Sequence, residues 1–163
     1  MKIMVFLHGT TTMHASALGL SREERVRQVA AGDASVRNYA AYVPIGQAAG
    51  KLQAWKEQGA EIVYVSSQRG RAILRSDRDL LRRHGFPEGT FEFRQGIERY
   101  TDVVARVLPD ILIEDDCESI GGEKEMTYPQ LPPELKTRIK SIVVREFGGL
   151  DDLPDDLAAL KER

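Results

Sequence analysis

The sequence has one cysteine, Cys117, in 163 residues. No internal disulfide framework can form, and such usage fits a reducing compartment. Long apolar runs are missing too. The first, residues 3–7, follows a single lysine and ends at His8; that is too short for the core of a signal peptide, and no run approaches the roughly 18 apolar residues of a membrane span. Charge of one sign is also lacking: 23 basic residues face 25 acidic ones, a formal net charge of −2. That balance gives no electrostatic case for nucleic acid or for a membrane surface. Internal repeats and low-complexity tracts are absent. These gaps lead us to expect a cytoplasmic protein with no nucleic-acid and no membrane partner. What is present, 42% hydrophobic residues over this length, suffices for one domain with a sizeable core and is short for two. Residues 1–163 are therefore read as a single domain.

Strand and helix signals alternate along the chain. Residues 2–7 read as a buried strand, followed at once by Gly9 and three threonines. Ser21 with Glu24 makes a capping-box start for a short helix whose apolar face is Val26, Val29 and Ala30. The pattern from Asp33 to Tyr42 is irregular, so residues 11–43 are taken as a small helical insertion after the first strand. It would serve as a small lid or, through Tyr39, Tyr42 and Val43, as a dimer contact. Pro44 is expected to open a helix with Ile45, Ala48, Ala49, Leu52 and Trp55 on one stripe and Gly59 at its end. Glu61 to Val65 is a second strand. A basic helix then runs from about Ala72 to His84, its arginines forming a solvated face, and stops at Gly85. Phe91 and Phe93 suggest a short third strand, and Tyr100, Val103, Val104 and Val107 the inner face of a helix closed by Pro109. A fourth strand begins at Ile111, Ser141 to Arg145 supplies a fifth, and Pro154 starts a last short helix. This alternation predicts an α/β fold, a Rossmann-like three-layer sandwich around a mostly parallel sheet. Ligands in such folds sit beyond the carboxyl ends of the strands, where loops 8–12, 66–70 and 114–119 should converge.

Chemistry concentrates in that region. The fourth strand ends in Glu114, Asp115 and Asp116, with Glu118 close behind. Such a cluster repels itself unless a cation, an arginine or hydrogen-bond donors compensate it. Acids in the first turn of a helix are the plainer account. On the cation reading Asp115 leads, with Glu114 beside it, and the ion would be Mg²⁺ or another divalent metal, weakly held because the first strand offers no carboxylate. His8 would be a catalytic base or a ligand beside Asp115, or else a ring bonded to the carboxylates and neutralising them. Ser66, Ser67, Gln68 and Arg69 would hold a phosphate or cap the following helix. Cys117, beside acids, should have a raised pKa and play a structural part. His14 and His84 carry no spacing signal. Trp55 and Tyr100 fall on apolar stripes and are assigned to the core.

In order and spacing these motifs resemble the haloacid dehalogenase-like (HAD) superfamily, Rossmann-like proteins that are mostly Mg-dependent phosphatases. Gly9-Thr10 match the tail of the family's first motif, Ser66 or Ser67 the second, and Glu114-Asp115 the fourth, while Arg99 or Arg94 stands where the family has a basic residue. The resemblance spans roughly residues 2–147. It places Phe6 at the family's nucleophilic Asp and His8 at its acid/base Asp. A phenyl ring cannot attack phosphorus or ligate a metal, so the aspartyl-phosphate mechanism does not carry over. What the resemblance leaves is a phosphate-sized pocket made by Gly9, Thr10, Ser66, Ser67 and Arg99. The function expected is that of a phosphate- or nucleotide-responsive binding or regulatory module for a small phosphorylated molecule. The alternative is a metal-dependent phosphate-ester hydrolase using water activated near His8 and Asp115. A structural role for loops 123–135 and 148–156 is the third reading.

Overall fold

The computed structural model describes residues 1–70 and 74–163. Five strands form one parallel sheet. In chain order they are β1 (Lys2–Phe6), β4 (Glu61–Val65), β5 (Thr90–Glu92), β6 (Ile111–Asp115) and β7 (Lys140–Val144). The spatial order is β5-β4-β1-β6-β7, with β1 at the centre. Two further strands, β2 (Thr12–Met13) and β3 (Val43–Pro44), pair antiparallel. The helices are α1 (Arg22–Ala30), α2 (Ala48–Glu57), α3 (Leu74–Arg83), α4 (Tyr100–Val107), α5 (Pro133–Lys136) and α6 (Leu157–Glu162).

Side chains of a strand alternate between its two faces, and β1 is apolar on both. Ile3, Val5 and Leu7 enter one core with Leu52, Trp55, Tyr64, Leu80 and Leu160. Met4 enters the other, with Val63, Val65, Val103, Val104 and Leu112, and Phe6 packs against it. A third cluster, Met13, Ala17, Val26, Ile45 and Phe147, seats the insertion on the body.

The sequence expectations hold for most elements and shift at their ends. The capping box at Ser21 and Glu24 is formed. Pro44 does not open a helix: it pairs with Thr12 in the β2–β3 ribbon that closes the insertion, and α2 starts at Ala48. The ribbon takes Pro44 because its antiparallel partner needs no N–H from it. Phe93 falls one residue past β5, Arg145 past β7, and α6 begins three residues after Pro154 under an Asp156 cap. The expected start of the basic helix near Ala72 lies outside the described residues; from Leu74 onward Leu74, Asp77, Leu80 and Leu81 are buried while Arg75, Arg78, Arg82 and Arg83 are exposed. Trp55 is fully buried and donates its indole N–H to the Pro154 carbonyl at 2.9 Å. Among the described residues no helix is long and apolar enough to cross a membrane.

Leu52 is fully buried on α2 between the sheet and the C-terminal segment. Leu52→Ala should cost about 2–5 kcal/mol, the range for emptying a leucine site in a packed core. Guanidinium denaturation would read this as a lower midpoint at unchanged slope.

Candidate functional site

Past Phe6 the chain folds back on the end of its own strand. The Leu7 carbonyl accepts the N–H groups of Thr11 (2.9 Å) and Thr12 (2.8 Å) and the hydroxyls of both. Two of the three threonines are thus consumed in making the turn. Gly9 sits at φ 88°, and a Cβ there would come within 3.0 Å of an Asp115 carboxylate oxygen. Only glycine fits this position. Its N–H donates to the Thr12 carbonyl at 2.9 Å, and its own carbonyl accepts from Phe147 N–H at 2.7 Å.

The expected metal pair is separated by the pleat. Ile111 and Ile113 face one core and Leu112 the other, so consecutive residues of β6 diverge. Glu114 follows Leu112: its carboxylate accepts from the backbone N–H groups of Thr127 (2.7 Å) and Tyr128 (2.8 Å) and ties down the connector after β6. Asp115 turns the other way. It accepts the Thr10 hydroxyl at 2.7 Å and the Cys117 N–H at 3.0 Å. Its neighbours are Asp116 and Glu146, and one carboxylate oxygen from each of the three lies within 4.8 Å of the others. Three hard oxygen donors with this spacing suit a divalent cation such as Mg²⁺. The acids do not begin an α-helix, since residues 118–121 form a turn leading into a 3-10 segment. Glu146 also accepts the Ser119 N–H and hydroxyl, each at 2.6 Å. Burial pushes the carboxyls of Glu114, Asp115 and Glu146 above the ordinary range, their hydrogen bonds opposing it. The Cys117 thiol is pushed up first by burial and then by these acids, and holds no reactive thiolate.

A second constellation lies at the end of β4. Ser66 is buried, donating its hydroxyl to Asp77 of α3 at 2.5 Å and accepting the Gln68 N–H. Asp77, 2% exposed, also accepts the Gln68 side-chain amide at 2.8 Å. His8 reaches the same carboxylate through Nε2 at 3.3 Å and the Ser67 hydroxyl through Nδ1 at 2.5 Å. The imidazole is clamped by Tyr39 and Tyr42 of the insertion, with ring centroids 4.8 and 5.1 Å away. Residues 39 and 42 thus lie against the end of β1.

Phe6 turns its ring edge-on to Tyr100 at 4.9 Å, and the Arg94 guanidinium lies 4.2 Å over the other ring. Burial raises the Tyr100 hydroxyl, while Arg94 and Arg69 pull it back down. Arg99 is exposed and caps α4, its N–H donating to Asp102. His14 is buried against Tyr42 and Phe147, bonded to Gln28 at 2.7 Å. Of the expected residues, the structure joins His8 with Ser67, and Gly9 and Thr10 with Asp115; it parts Glu114 and Arg99 from both groups. Two contributors escaped the sequence reading. Asp77 is a lone acid on the apolar stripe of an arginine-rich helix, a legible signal. Glu146 follows the neighbouring edge strand and carries no local mark.

Three carboxyls with raised pKa values fix the sign of a pH effect. The folded state holds their protons more tightly than the unfolded chain, so stability is fully present below the ordinary carboxylate range and falls as pH rises through the raised values. In metal-free buffer, the denaturation midpoint should fall as pH rises above the ordinary carboxylate range. Mg²⁺ should restore part of it at the upper end by binding the folded state.

No family model matches the chain, and no curated protein matches it. Among solved structures it is similar to the class C acid phosphatase from Bacillus anthracis with tungstate bound: TM-score 0.56, 16% identity, covering 91% of this chain and 68% of that one. It also aligns with the D,D-heptose 1.7-bisphosphate phosphatase from B. bronchiseptica complexed with magnesium and phosphate (TM-score 0.45, 12% identity, 90% and 93% covered). A universal stress protein in complex with cAMP aligns at TM-score 0.36 and 14% identity, with 89% and 94% covered. The last two superpose too loosely to bear on the argument, and the first speaks to the fold alone. With the sheet order, that likeness gives the chain a Rossmann-like α/β fold.

Proposed function

We propose that this protein is a binding or regulatory module for a small phosphorylated molecule, held beyond the carboxyl ends of β1 and β4 without phosphoaspartyl chemistry. The observation that carries the reading is Phe6. The residue that ends β1 is an aromatic ring packed on Tyr100, and a ring in that place can neither attack phosphorus nor hold a phosphoryl group. The phosphatase bearing tungstate supports an oxyanion ligand for a chain of this fold.

The groups that could meet an anion are a subset of those the sequence suggested. The Gly9 N–H and the hydroxyls of Thr10 and Ser66 are bonded to protein partners and form the frame. Ser67 is half-buried at its edge. Arg94 brings a charge across the Tyr100 ring, its Nε buried without a partner among the described residues, and Arg69 acts on the same hydroxyl. A guanidinium recognises phosphate by charge-assisted hydrogen bonds, so it takes the place proposed for Arg99. Asp115, Asp116 and Glu146 would hold a divalent cation, which supplies positive charge to a phosphate oxygen. The alternative of a metal-activated water near His8 and Asp115 draws no support from His8, whose two nitrogens are engaged by Ser67 and Asp77.

Titration calorimetry with inorganic phosphate, with and without Mg²⁺, tests the reading. Binding should be stronger with Mg²⁺, and Arg94→Ala should weaken it about ten-fold or more, a charge-assisted hydrogen bond contributing roughly 1.5–3 kcal/mol. Absence of phosphate binding, or an unchanged affinity in the variant, contradicts it. Mg-dependent turnover of p-nitrophenyl phosphate with an acyl-phosphate trapped on the chain would remove the nucleophile argument.

A further inference from the structure

We infer that Ser67, His8 and Asp77 form a hydrolytic relay in which Ser67 is the nucleophile, acting on small carboxylic esters. The inference goes beyond the phosphate reading and does not need it.

The three side chains come from three elements: the loop after β4, the turn after β1, and α3. An ionised carboxylate only accepts, so Asp77 fixes the proton of His8 on Nε2 across 3.3 Å. Nδ1 is then unprotonated and receives the Ser67 hydroxyl at 2.5 Å. This is the base-to-nucleophile and orienter-to-base geometry of nucleophilic catalysis, with the two ring nitrogens exchanged relative to the chymotrypsin-type triad. The orienter is itself held rigidly: Asp77 is 2% exposed and bonded to Ser66 and Gln68. The imidazole cannot swing away, because Tyr39 and Tyr42 pack on it. These, with Ser67 and Asp77, are the titratable and polar groups that face His8. Its side chain is 10% exposed, and both His8 and Ser67 are half-buried, so the pair lies at the rim of the strand ends rather than in the core. For attack by Ser67 an acyl centre is assigned rather than a phosphoryl one. The surrounding rings are aromatic, and the carboxylates able to hold a cation gather round Gly9 and Thr10, with no bond to Ser67.

The chemistry balances with water alone. Ser67 Oγ bonds to the ester carbonyl carbon as its proton passes to His8 Nδ1. The carbon–oxygen bond to the leaving alcohol breaks, and that alcohol takes the proton. Water then attacks the acyl-Ser67, giving its proton to His8; the acid departs and the proton returns to Ser67.

The test is covalent labelling of the intact protein with an alkyl fluorophosphonate, read by mass spectrometry, together with p-nitrophenyl acetate hydrolysis. We expect one adduct, on Ser67, forming at least about 100-fold more slowly in His8→Ala, in keeping with loss of a general base. Asp77→Asn should slow labelling and alter its pH profile, while Asp79→Asn, at an exposed position of the same helix, should leave both assays unchanged. No adduct on Ser67 in the folded wild-type protein, or equal labelling in folded His8→Ala, overturns the inference without any variant having to be stable in every case. Phosphate calorimetry reads the other proposal separately, so either can fail alone.

Discussion

Asp77 carries a carboxylate into a place almost closed to water, where an unpaired charge would cost several kcal/mol. The cost is met by three donors: the Ser66 hydroxyl, the Gln68 amide and the His8 ring. Those donors belong to the loops that end β1 and β4, so the network joins the two central strands to α3 at the level where a ligand would sit. A satisfied buried network of this kind specifies one arrangement, because each member would be left unpaired in any other. The position of His8, between Asp77 and the Ser67 hydroxyl, belongs to the same network.

The pleat of β6 imposes a second constraint. Adjacent carboxylates on a strand cannot share a site, since one points to each face. Glu114 anchors the connector at Thr127 and Tyr128, while Asp115 joins Asp116 and Glu146. The strand ends thus divide into an acidic half around Gly9 and a half built from histidine, serine and arginine around Phe6. In the proposed roles the halves are used differently, a cation in one and an anion or ester in the other.

Much of the fold was legible because its signals are local. Buried runs such as Glu61–Val65 and Ile111–Asp115 read directly as strands, and the Ser21–Glu24 box marked a helix start. Pro44 misled because a helix-opening proline and a ribbon-closing one look alike until Thr12 is known to lie opposite. At the candidate site, His8, Ser67 and Asp115 were picked out by their places at strand ends. Their partners were not, since His8–Asp77 and Asp115–Glu146 are contacts across 69 and 31 residues that no spacing rule encodes. The split of Glu114 from Asp115 could have been read from period-2 alternation alone.

The lone tryptophan has a practical bearing. Trp55 is sealed in the core, with its indole N–H bonded to the carbonyl of Pro154, in the stretch between β7 and α6. Its emission therefore reports a single, known environment, uncontaminated by other indoles. Loosening of the C-terminal tail would release that bond and admit water to the ring, so an ordinary fluorimeter can follow the seating of the tail in real time.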